Sequence, residues 1–435
     1  MAGALADRVF AAGVVGAGGG GFPTHRKLAC QVECVVANAA ECEPLLCNDQ
    51  EVISREWPGV VRGLRLVAQA TGARKLLVAI KGKSLALLPK ELPADVEVVK
   101  LPDCYPAGDE HEVVPIATGR LVPEGGLPVQ VGVLVQNVET LRNVAAAWDG
   151  TPVTQRTLTV GGCVAEPRVV RVPIGTPVRE LLPVCGGVMC EDPVFFLGGV
   201  MMGCLTEDSS TPIAKTTAAV IVLPRQHVYV QQRSQRLEHQ LRNARSACTQ
   251  CVLCTESCNR YLLGHGLEPH RVMRAAALGS HTDTKVARMA LLCSECGACE
   301  YACPMGLSPR MVNRAVKEHL RSLGTMAPRQ RTVQPRVPVG TGRIPTHRLM
   351  ARFDLTPYYR PARYCETMIV PRQVHIPLKQ HAGAPARPVV AIGQKVREGE
   401  LVGQVLRDEL GACVHASVSG RVVQVDSHVV TIATE

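Results

Sequence analysis

Two cysteine runs with the same spacing are the residues of this chain best suited to chemistry. Both read C-x2-C-x2-C-x3-C, and their first cysteines, Cys248 and Cys293, are 45 positions apart. This spacing lets three thiolates of one short loop bind a [4Fe–4S] cluster, and in two-cluster ferredoxins the last cysteine of each run binds the other cluster. The pattern therefore predicts two clusters with crossed ligands, held by Cys248, Cys251, Cys254 and Cys303 and by Cys293, Cys296, Cys299 and Cys258.

A pair of four-cysteine zinc sites is the structural alternative. Such sites usually pair two C-x2-C hooks across a longer gap, which a duplicated run ending in Cys303-Pro304 fits poorly. One residue departs from the ferredoxin pattern, because Asn259 stands where the second run has Pro304. The runs predict a protein that moves electrons.

A glycine loop near the start of the chain is a candidate flavin site. Clusters pass single electrons, so a hydride donor needs a flavin that takes two electrons together and releases them singly. Residues 13–28 read GVVGAGGGGFPTHRKL, in which glycine N–H groups can approach a phosphate and Lys27 can neutralise it. Alone, such a loop is equally typical of a flexible turn.

Three further motifs accompany the loop. They are NAAECEP with Asn38, Glu41 and Glu43; YPAGDEH with Asp109 and Glu110; and VQNVETL with Asn137, Glu139 and Thr140. Each motif by itself is more typical of a turn or a helix cap than of a binding site. Together with the loop they predict polar groups around a flavin.

The elements that would position these motifs alternate between strands and helices. Apolar runs at 34–40, 75–82, 96–102 and 132–138 predict strands, and GVVRGLRLVAQATGA at 59–73 predicts a helix. This alternation indicates an α/β domain with a mainly parallel sheet over residues 1–150. Short strands with Gly and Pro turns, around one helical piece at 178–187, indicate an α+β module over 151–223.

The second half of the chain divides into a cluster domain, a linker and a β module. We place the cluster domain at 224–330, with a polar, basic lead-in at 224–247 and helices at 268–279, 283–292 and 308–324. The last of these begins at Ser308, a candidate N-cap, and ends at Gly324. Residues 331–373 are predicted to be a linker, and 374–435 a small module of barrel-sandwich type.

Composition limits the classes of partner. The net charge of +10 is moderate, and aromatic residues make up only 3%, which argues against a single-stranded nucleic acid partner. No apolar run reaches the roughly 18 residues of a membrane helix, and no signal peptide is expected. Eight of the 19 cysteines are assigned to clusters, which favours a reducing cytosol, and most of the other eleven are expected to be buried.

The motifs resemble the flavin subunit of NADH:quinone oxidoreductase and the RnfC component of the Rnf complex. The shared pattern is G-x-G-G-x-G-F-P-T-x-x-K, N-x-x-E-x-E-P, Y-x-x-G-[DE]-E and N-x-E-T-L. The resemblance implies NADH contacts at Glu41, Asp109 and Glu110, with Gln136 at a position where the family commonly has Asn. It implies FMN contacts at Gly18, Gly19, Gly21, Lys27, Asn38, Asn137 and Thr140.

The resemblance also implies the fold of each domain. It implies a multidomain α/β and α+β chain with an FMN-binding α/β domain, a β-grasp soluble-ligand-binding domain, a helical ferredoxin-like domain with two [4Fe–4S] clusters, and a barrel-sandwich module. That module follows the clusters here, as in the cobalamin reductases encoded with propanediol-utilising bacterial microcompartments.

The implied function is electron transfer from NADH through FMN and two clusters to a corrinoid. This reaction would reactivate a cobalamin-dependent diol dehydratase, within or at a microcompartment, with a shell protein or an adenosyltransferase as further partners. Two alternatives stay open: electron exchange with ferredoxin or a shell protein, and a non-enzymatic scaffold. The D-x-H-x-x-G pattern of base-off cobalamin proteins is absent, and His265, His270 and His281 are expected at the surface or at helix caps rather than on cobalt.

Overall fold

The computed structural model describes residues 2–279, 284–328 and 332–434. His281 therefore lies outside the described residues. The predicted fold classes occur in the predicted order, with departures in single elements. None of the helices in the described part of the chain is long and apolar enough to cross a bilayer. The domain boundaries themselves stay predictions.

A parallel sheet of four strands forms the centre of the first domain. The strands occur in the order β3-β2-β1-β5, with apolar side chains buried on both faces. The two-residue strand β4 lies outside this sheet. The elements are α1 (Ala2–Ala11), α2 (Thr24–Lys27), β1 (Cys34–Ala39), α3 (Asn48–Thr71), β2 (Lys75–Lys81), β3 (Val96–Leu101), β4 (Cys104–Tyr105), α4 (Glu110–Thr118), β5 (Val133–Asn137) and α5 (Val138–Trp148).

The predicted strands of this domain are all present, but its main helix is longer than predicted. Helix α3 begins 11 positions before the predicted start at Gly59 and has a kink at Glu56, before Pro58. It ends at Gly72, whose φ of +70° closes the helix in the left-handed conformation that glycine adopts without strain. Helices α3 and α5 pack on one face of the sheet, and α4 covers the other.

The second domain is built on a mixed sheet of six strands. Five strands come from the domain, namely β6 (Gln155–Gly162), β7 (Arg168–Pro173), β8 (Pro193–Leu197), β9 (Cys204–Thr206) and β10 (Ala219–Pro224). The prediction of a helix at 178–187 is wrong. This segment forms two short 3-10 turns, Val178–Glu180 and Pro183–Cys185, because Pro183 cannot continue a helix from the preceding turn.

The cluster region is helical. Its helices are α6 (Val228–Arg233), α7 (Leu237–Ala247), α8 (Leu253–Glu256), α9 (Asn259–Leu262), α10 (Pro269–Ala277), α11 (Thr284–Met289), α12 (Ala298–Ala302) and α13 (Pro309–Ser322). The Ser308 hydroxyl accepts a hydrogen bond from Met311 N, which confirms the predicted cap of α13. The lead-in at 224–247 is not an open connection, because it forms α6 and α7 and buries Tyr229 and Val230.

The segment predicted as a linker contributes strands to two other domains. It contains β11 (Ile344–Pro345), α14 (Thr346–Arg352) and β12 (Arg363–Tyr364). Strand β11 pairs with β4 of the first domain, and β12 pairs with β7 of the second. These elements were not predicted from the sequence, because strands of two residues are too short to show a periodicity and the segment is rich in Pro and Arg.

The C-terminal module consists of two small sheets around one apolar core. One sheet has the order β13-β19-β18-β15 and the other the order β14-β16-β17. The strands are β13 (Gln373–Pro377), β14 (Arg387–Pro388), β15 (Lys395–Val396), β16 (Leu401–Gln404), β17 (Val414–His415), β18 (Gly420–Val425) and β19 (Val429–Thr434).

Candidate flavin and cluster sites

The strand order creates a crevice at the carboxyl ends of β1 and β5. The chain proceeds from β1 to β2 and β3 on one side, whereas β5 lies on the other side of β1. Such a switch point is where open α/β sheets bind their ligands. Asn38 and Asn137, both predicted to contact FMN, are direct partners in the β1–β5 register.

The glycine loop lies at this crevice. Gly16 and Phe22 close it through a hydrogen bond from Gly16 N to Phe22 O, and Ala17 N donates to the Thr140 hydroxyl at 2.9 Å. A Cβ added at Gly19 or Gly20 would meet no protein atom within 4 Å, so the tip of the loop is open to a ligand. Gly19 has a φ of +99°, a conformation that other residues rarely adopt.

Lys27 ends the short helix that follows the loop. Its Nζ lies 2.7 Å from Glu110 Oε1 and 3.2 Å from the carbonyl oxygen of Val135 in β5. The structure thus brings together the lysine predicted for FMN and the glutamate predicted for NADH. Both side chains are partly exposed, so they are accessible from the crevice.

The three other predicted FMN side chains make bonds within the protein. Asn137 caps α5 by accepting from Glu139 N, and its Nδ2 donates to Asp49. Asn38 donates to the Gly108 carbonyl. The Thr140 hydroxyl is fully buried beneath the glycine loop. These side chains shape the crevice, and direct contact with FMN stays a prediction for them.

Two of the buried polar atoms without a hydrogen-bond partner in the described part of the chain lie at this crevice. Among the described residues, Gln136 Nε2 and Glu41 Oε2 are buried without a hydrogen-bond partner. Buried polar atoms almost always have partners, so such exceptions need an explanation. Gln136 lies in β5 directly before Asn137, and a polar cofactor in the crevice would supply what these atoms lack. The crevice therefore fits FMN.

The residues predicted to contact NADH differ in their exposure and in the hydrogen bonds they make within the protein. Glu41 Oε1 accepts from Asp49 N at 2.9 Å, and burial together with the Asp49 carboxylate raises the pKa of Glu41. The Glu110 side chain is 40% exposed, whereas that of Asp109 is 11% exposed. Asp109 is engaged on both oxygens: it accepts from His111 N and Arg260 through Oδ1 and from Asn259 through Oδ2. Its predicted contact with NADH competes with these bonds.

A cavity of about 400 Å³ opens beside Glu41, at the carboxyl ends of β1 and β2. Glu43 lines it, and burial raises the pKa of Glu43 to about 7. Lys81 and Lys83 also line it, both within salt-bridge distance of Asp103. The cavity places carboxyl groups and ammonium groups together next to the predicted flavin site.

The eight cysteines of the two runs surround two separate cavities. Cys248, Cys251, Cys254 and Cys303 line the first cavity, and Cys258, Cys293, Cys296 and Cys299 line the second cavity. Each set contains three cysteines of one run and the last cysteine of the other. This arrangement is the one predicted from crossed ligation.

The chemistry of these cysteines fits clusters. Burial raises the pKa of Cys254 and of Cys258 to about 12, so a buried thiolate needs the positive charge of bound iron. In the described residues no group of three or more His, Cys, Asp or Glu side chains is placed to hold a single metal ion. The cysteines line the walls of cavities instead, which suits a multi-atom cluster.

The other cysteines and the histidines depart in part from expectation. Of the eleven non-ligand cysteines, Cys34, Cys104, Cys185 and Cys413 are buried, whereas Cys204 is exposed and the rest are intermediate. His265 is only 1% exposed, with its ring 5.2 Å from that of His111, so its predicted surface position is wrong. The preceding Gly264 has a φ of +96°, and a Cβ there would lie 2.2 Å from the Gln334 carbonyl oxygen, so this tightly packed turn requires glycine. His270 shares a hydrogen bond with the Thr255 hydroxyl.

Sequence reasoning missed the residues that join the flavin turn to the cluster region. The buried Tyr105 hydroxyl donates to the Cys296 carbonyl at 2.6 Å. Arg260 Nη1 lies 2.8 Å from Asp109 Oδ1. The signal that could have found this junction was Asn259, the one departure from the ferredoxin pattern.

Family models match four parts of the chain in the same order as the structural domains. Residues 9–146 match the Nuo51 FMN-binding domain, and residues 157–205 match the SLBB domain. Residues 247–308 match a 4Fe-4S dicluster domain, and residues 361–435 match the RnfC barrel sandwich hybrid domain. The predicted cofactors, FMN and two [4Fe–4S] clusters, and the predicted fold classes are confirmed.

Whole-chain relatives identify the family. The cobalamin reductases PduS of Salmonella typhimurium and Citrobacter freundii are each 42% identical over 98% of this chain and 96% of their own length. A component of the Na(+)-translocating ferredoxin:NAD(+) oxidoreductase complex of Acetobacterium woodii is 36% identical over 51% of this chain and 53% of its own length. With nearly its full length aligned to the first two, this chain belongs to the PduS family of flavin- and iron–sulfur-containing oxidoreductases.

Proposed function

We propose that this protein transfers electrons from NADH through FMN and two [4Fe–4S] clusters to a corrinoid. The observation that carries the electron path is the junction of the flavin domain with the cluster region. There Tyr105 bonds to the carbonyl of the predicted ligand Cys296, and Asp109 bonds to Arg260, two positions after Cys258. The acceptor is carried over from the relatives, whose name is cobalamin reductase.

The residues assigned to FMN are those of the glycine loop and the crevice. We assign the phosphate to the backbone N–H groups of Gly18 and Gly19 and to Lys27, because glycine N–H groups and an ammonium group suit an anion. The N–H of Gly21, the third glycine predicted to contact FMN, already donates to Gly16 O at 3.2 Å and closes the loop. Asn38, Gln136, Asn137 and Thr140 would form the floor of the site. When bound, FMN converts the two-electron donor into a source of single electrons for the clusters.

We assign the nicotinamide cofactor to the crevice side that carries Glu110 and Glu41. Glu110 is exposed enough to meet a ligand, and Glu41 lines the adjoining cavity with Lys81 and Lys83. Lysine side chains at a cavity wall are suited to the pyrophosphate of a dinucleotide. Asp109 would act on this site through the backbone of its turn, because its carboxylate is already bonded.

A second candidate acceptor is ferredoxin. The relatives from ferredoxin:NAD(+) oxidoreductase complexes align with about half of this chain, which favours a shared electron path but not a shared acceptor. We further propose that the protein works in or at a bacterial microcompartment, as the Pdu-type relatives imply, with a shell protein or an adenosyltransferase as neighbour. These partners would be sought by co-purification.

The decisive experiment compares acceptors under anaerobic conditions. Protein with full flavin and iron content is mixed with NADH and then with cob(III)alamin, cob(II)alamin or ferredoxin, and flavin and acceptor absorbance are followed by stopped flow. Rapid corrinoid reduction that fails in Cys258→Ser and Cys303→Ser variants supports the proposal. Faster reduction of ferredoxin than of corrinoid would favour the second candidate, and absence of flavin and iron would leave only a scaffold.

A control separates flavin reduction by NADH from electron transfer to the acceptor. Glu110→Gln is expected to slow flavin reduction by NADH, while a flavin reduced by dithionite discharges to the acceptor at the normal rate. Flavin content must be measured in this variant because Glu110 also contacts Lys27. Corrinoid reduction that survives loss of both clusters would contradict the linear relay, since it would show transfer from the flavin alone.

A further inference from the structure

One turn of the flavin domain bonds to residues beside a single cluster cavity. Asp109 accepts from Arg260 at 2.8 Å and from Asn259 at 3.1 Å, and Tyr105 donates to Cys296 O at 2.6 Å. Asn259 directly follows the ligand Cys258, and Cys296 lines the same second cavity. All these contacts therefore lead from the flavin crevice to the second cavity.

The ion pair at this junction is largely shielded from water. The side chains of Asp109 and Arg260 are each 11% exposed, and Tyr105 is fully buried. Charge-assisted hydrogen bonds in such surroundings are strong and fix geometry. The junction therefore holds the second cavity at a defined position relative to the flavin turn.

The first cavity faces outward instead. Its lining includes Cys251, which is exposed, and Met305, which is 49% exposed. Among the described residues, no hydrogen bond or salt bridge joins the turn at 105–110 to a residue lining this cavity. An electron carrier outside the protein can approach the first cavity more closely than the second.

We propose that Asp109, Arg260 and Asn259 form a positioning bridge that makes the second-cavity cluster the entry point for electrons and the first-cavity cluster the exit. The inference rests on the proposed function, because it takes FMN as the source. Each transfer moves one electron from reduced flavin to one cluster. Two successive transfers return the flavin to its oxidised form and release its two protons.

The backbone alone does not require asparagine at position 259. Asn259 is the first residue of α9, a position that suits proline, and the preceding Cys258 has the extended ψ of 119° that proline favours in its neighbour. Pro304 occupies the corresponding position in the other run. Asn259 adds a side-chain bond to Asp109 at 3.1 Å, and its Oδ1 also lies 3.8 Å from Cys296 Sγ in the second cavity.

The bridge also places charges beside one cluster. The positive charge of Arg260 close to Cys258 and Cys296 favours the reduced, more negative state of the second-cavity cluster, and Asp109 opposes it. Asp109→Asn keeps a good cap for α4 but removes the negative charge. We therefore expect Asp109→Asn to raise the midpoint potential of the second-cavity cluster and Arg260→Gln to lower this potential.

The test of this effect isolates each cluster in turn in the full chain. Cys251→Ala removes the first-cavity cluster and Cys293→Ala the second, and each background receives Asp109→Asn or Arg260→Gln. Redox titrations followed by electron paramagnetic resonance should show opposite shifts in the Cys251→Ala background and none in the Cys293→Ala background. Equal shifts in both backgrounds, or shifts only of the first-cavity cluster, would overturn the bridge.

The order of transfer is tested by photoreducing the bound flavin and trapping the clusters by rapid freezing. The second-cavity cluster should be reduced at the wild-type rate in the Cys251→Ala background, and early reduction should be lost in the Cys293→Ala background. Asn259→Pro should slow cluster reduction with normal flavin and iron content, whereas Pro304→Asn should not. Equal rates in both backgrounds, or no effect of Asn259→Pro, would refute the order, and neither NADH nor an acceptor enters this test.

Discussion

Lys27 and Glu110 lie 83 positions apart in the chain, yet the lysine Nζ is 2.7 Å from the glutamate Oε1. The resemblance assigns one to FMN and the other to NADH, and the fold places both at the carboxyl end of the parallel sheet. The lysine therefore balances a carboxylate in the protein as well as a bound phosphate. A change at either residue alters the charge that the other presents to a ligand.

Replacing Lys27 by Ala should weaken FMN binding. A hydrogen bond to a charged group contributes about 1.5–3 kcal/mol, which corresponds to a loss of affinity of about 10- to 150-fold. Flavin fluorescence titration of deflavinated protein measures the affinity. Lys75→Ala, at an exposed position at the start of β2, is the matched control and should bind FMN normally. Equal affinity in the two variants would contradict the assignment of Lys27.

Gly19→Val should lower FMN affinity and leave the clusters intact. The side chain enters the open tip of the loop, where the backbone must approach the ligand, and a φ of +99° strains any β-branched residue. Gly20→Ala is the control at an equally open position without a positive φ and should bind FMN more tightly than Gly19→Val. Normal flavin content in Gly19→Val would remove the glycine loop from the site.

Cys258→Ser and Cys303→Ser should each damage the cluster bound mainly by the other run. Intact protein should contain about eight iron atoms, and each variant about four if one cluster is lost. Iron analysis with electron paramagnetic resonance identifies the surviving cluster by comparison with Cys293→Ala and Cys251→Ala. Cys204→Ser, at an exposed cysteine far in sequence from both runs, should keep both clusters. Loss of the first-cavity cluster in Cys258→Ser would show that the ligands are not crossed.

Lys215 should make stability depend on pH in the alkaline range. It lies fully buried between the first domain and the C-terminal module, and its Nζ donates to Gly13 O and Cys413 O. Burial lowers the pKa of Lys215 from 10.5 to about 7. The unfolded chain therefore binds more protons between pH 7 and 10.5, so this residue contributes stability that increases as the pH rises through that window.

The measurement compares wild type with Lys215→Met, which keeps the length of the side chain. The difference in unfolding free energy, wild type minus variant, should rise by at most about 1.4 kcal/mol per pH unit between pH 7 and 10. The neighbouring His381 and His415 have pKa values lowered by burial and are already neutral in this window, and burial raises the pKa of Cys413. A difference that does not change with pH would indicate that Lys215 stays charged.

The structural features that depend on residue spacing and periodicity could be predicted from the sequence. The four parallel strands and the grouping of cysteines around two cavities follow from patterns within short segments. The short helices of the lead-in and the strands β11 and β12 were missed because tertiary contacts, rather than local pattern, stabilise elements of this length.

The candidate site was harder to predict at the level of single side chains. Asn137 and Asp109 both cap helices, which is the common role of such residues, and their motifs alone could not reveal the additional bonds to Asp49 and Arg260. His265 was misplaced because a polar residue between two glycines is usually exposed. Contacts between residues distant in the chain determine these roles.

The connecting segment fixes how this chain can be divided. Strand β11 pairs with β4, which contains Tyr105, and Arg352 of α14 donates to the Cys303 carbonyl at 2.9 Å. A protein that ended at residue 330 would expose the free edge of β4 and lose a bond next to a cluster ligand, although every predicted ligand would be present. We therefore expect cofactor loading in recombinant fragments to depend on residues that bind no cofactor, and fragments meant to isolate the redox centres should extend through β12.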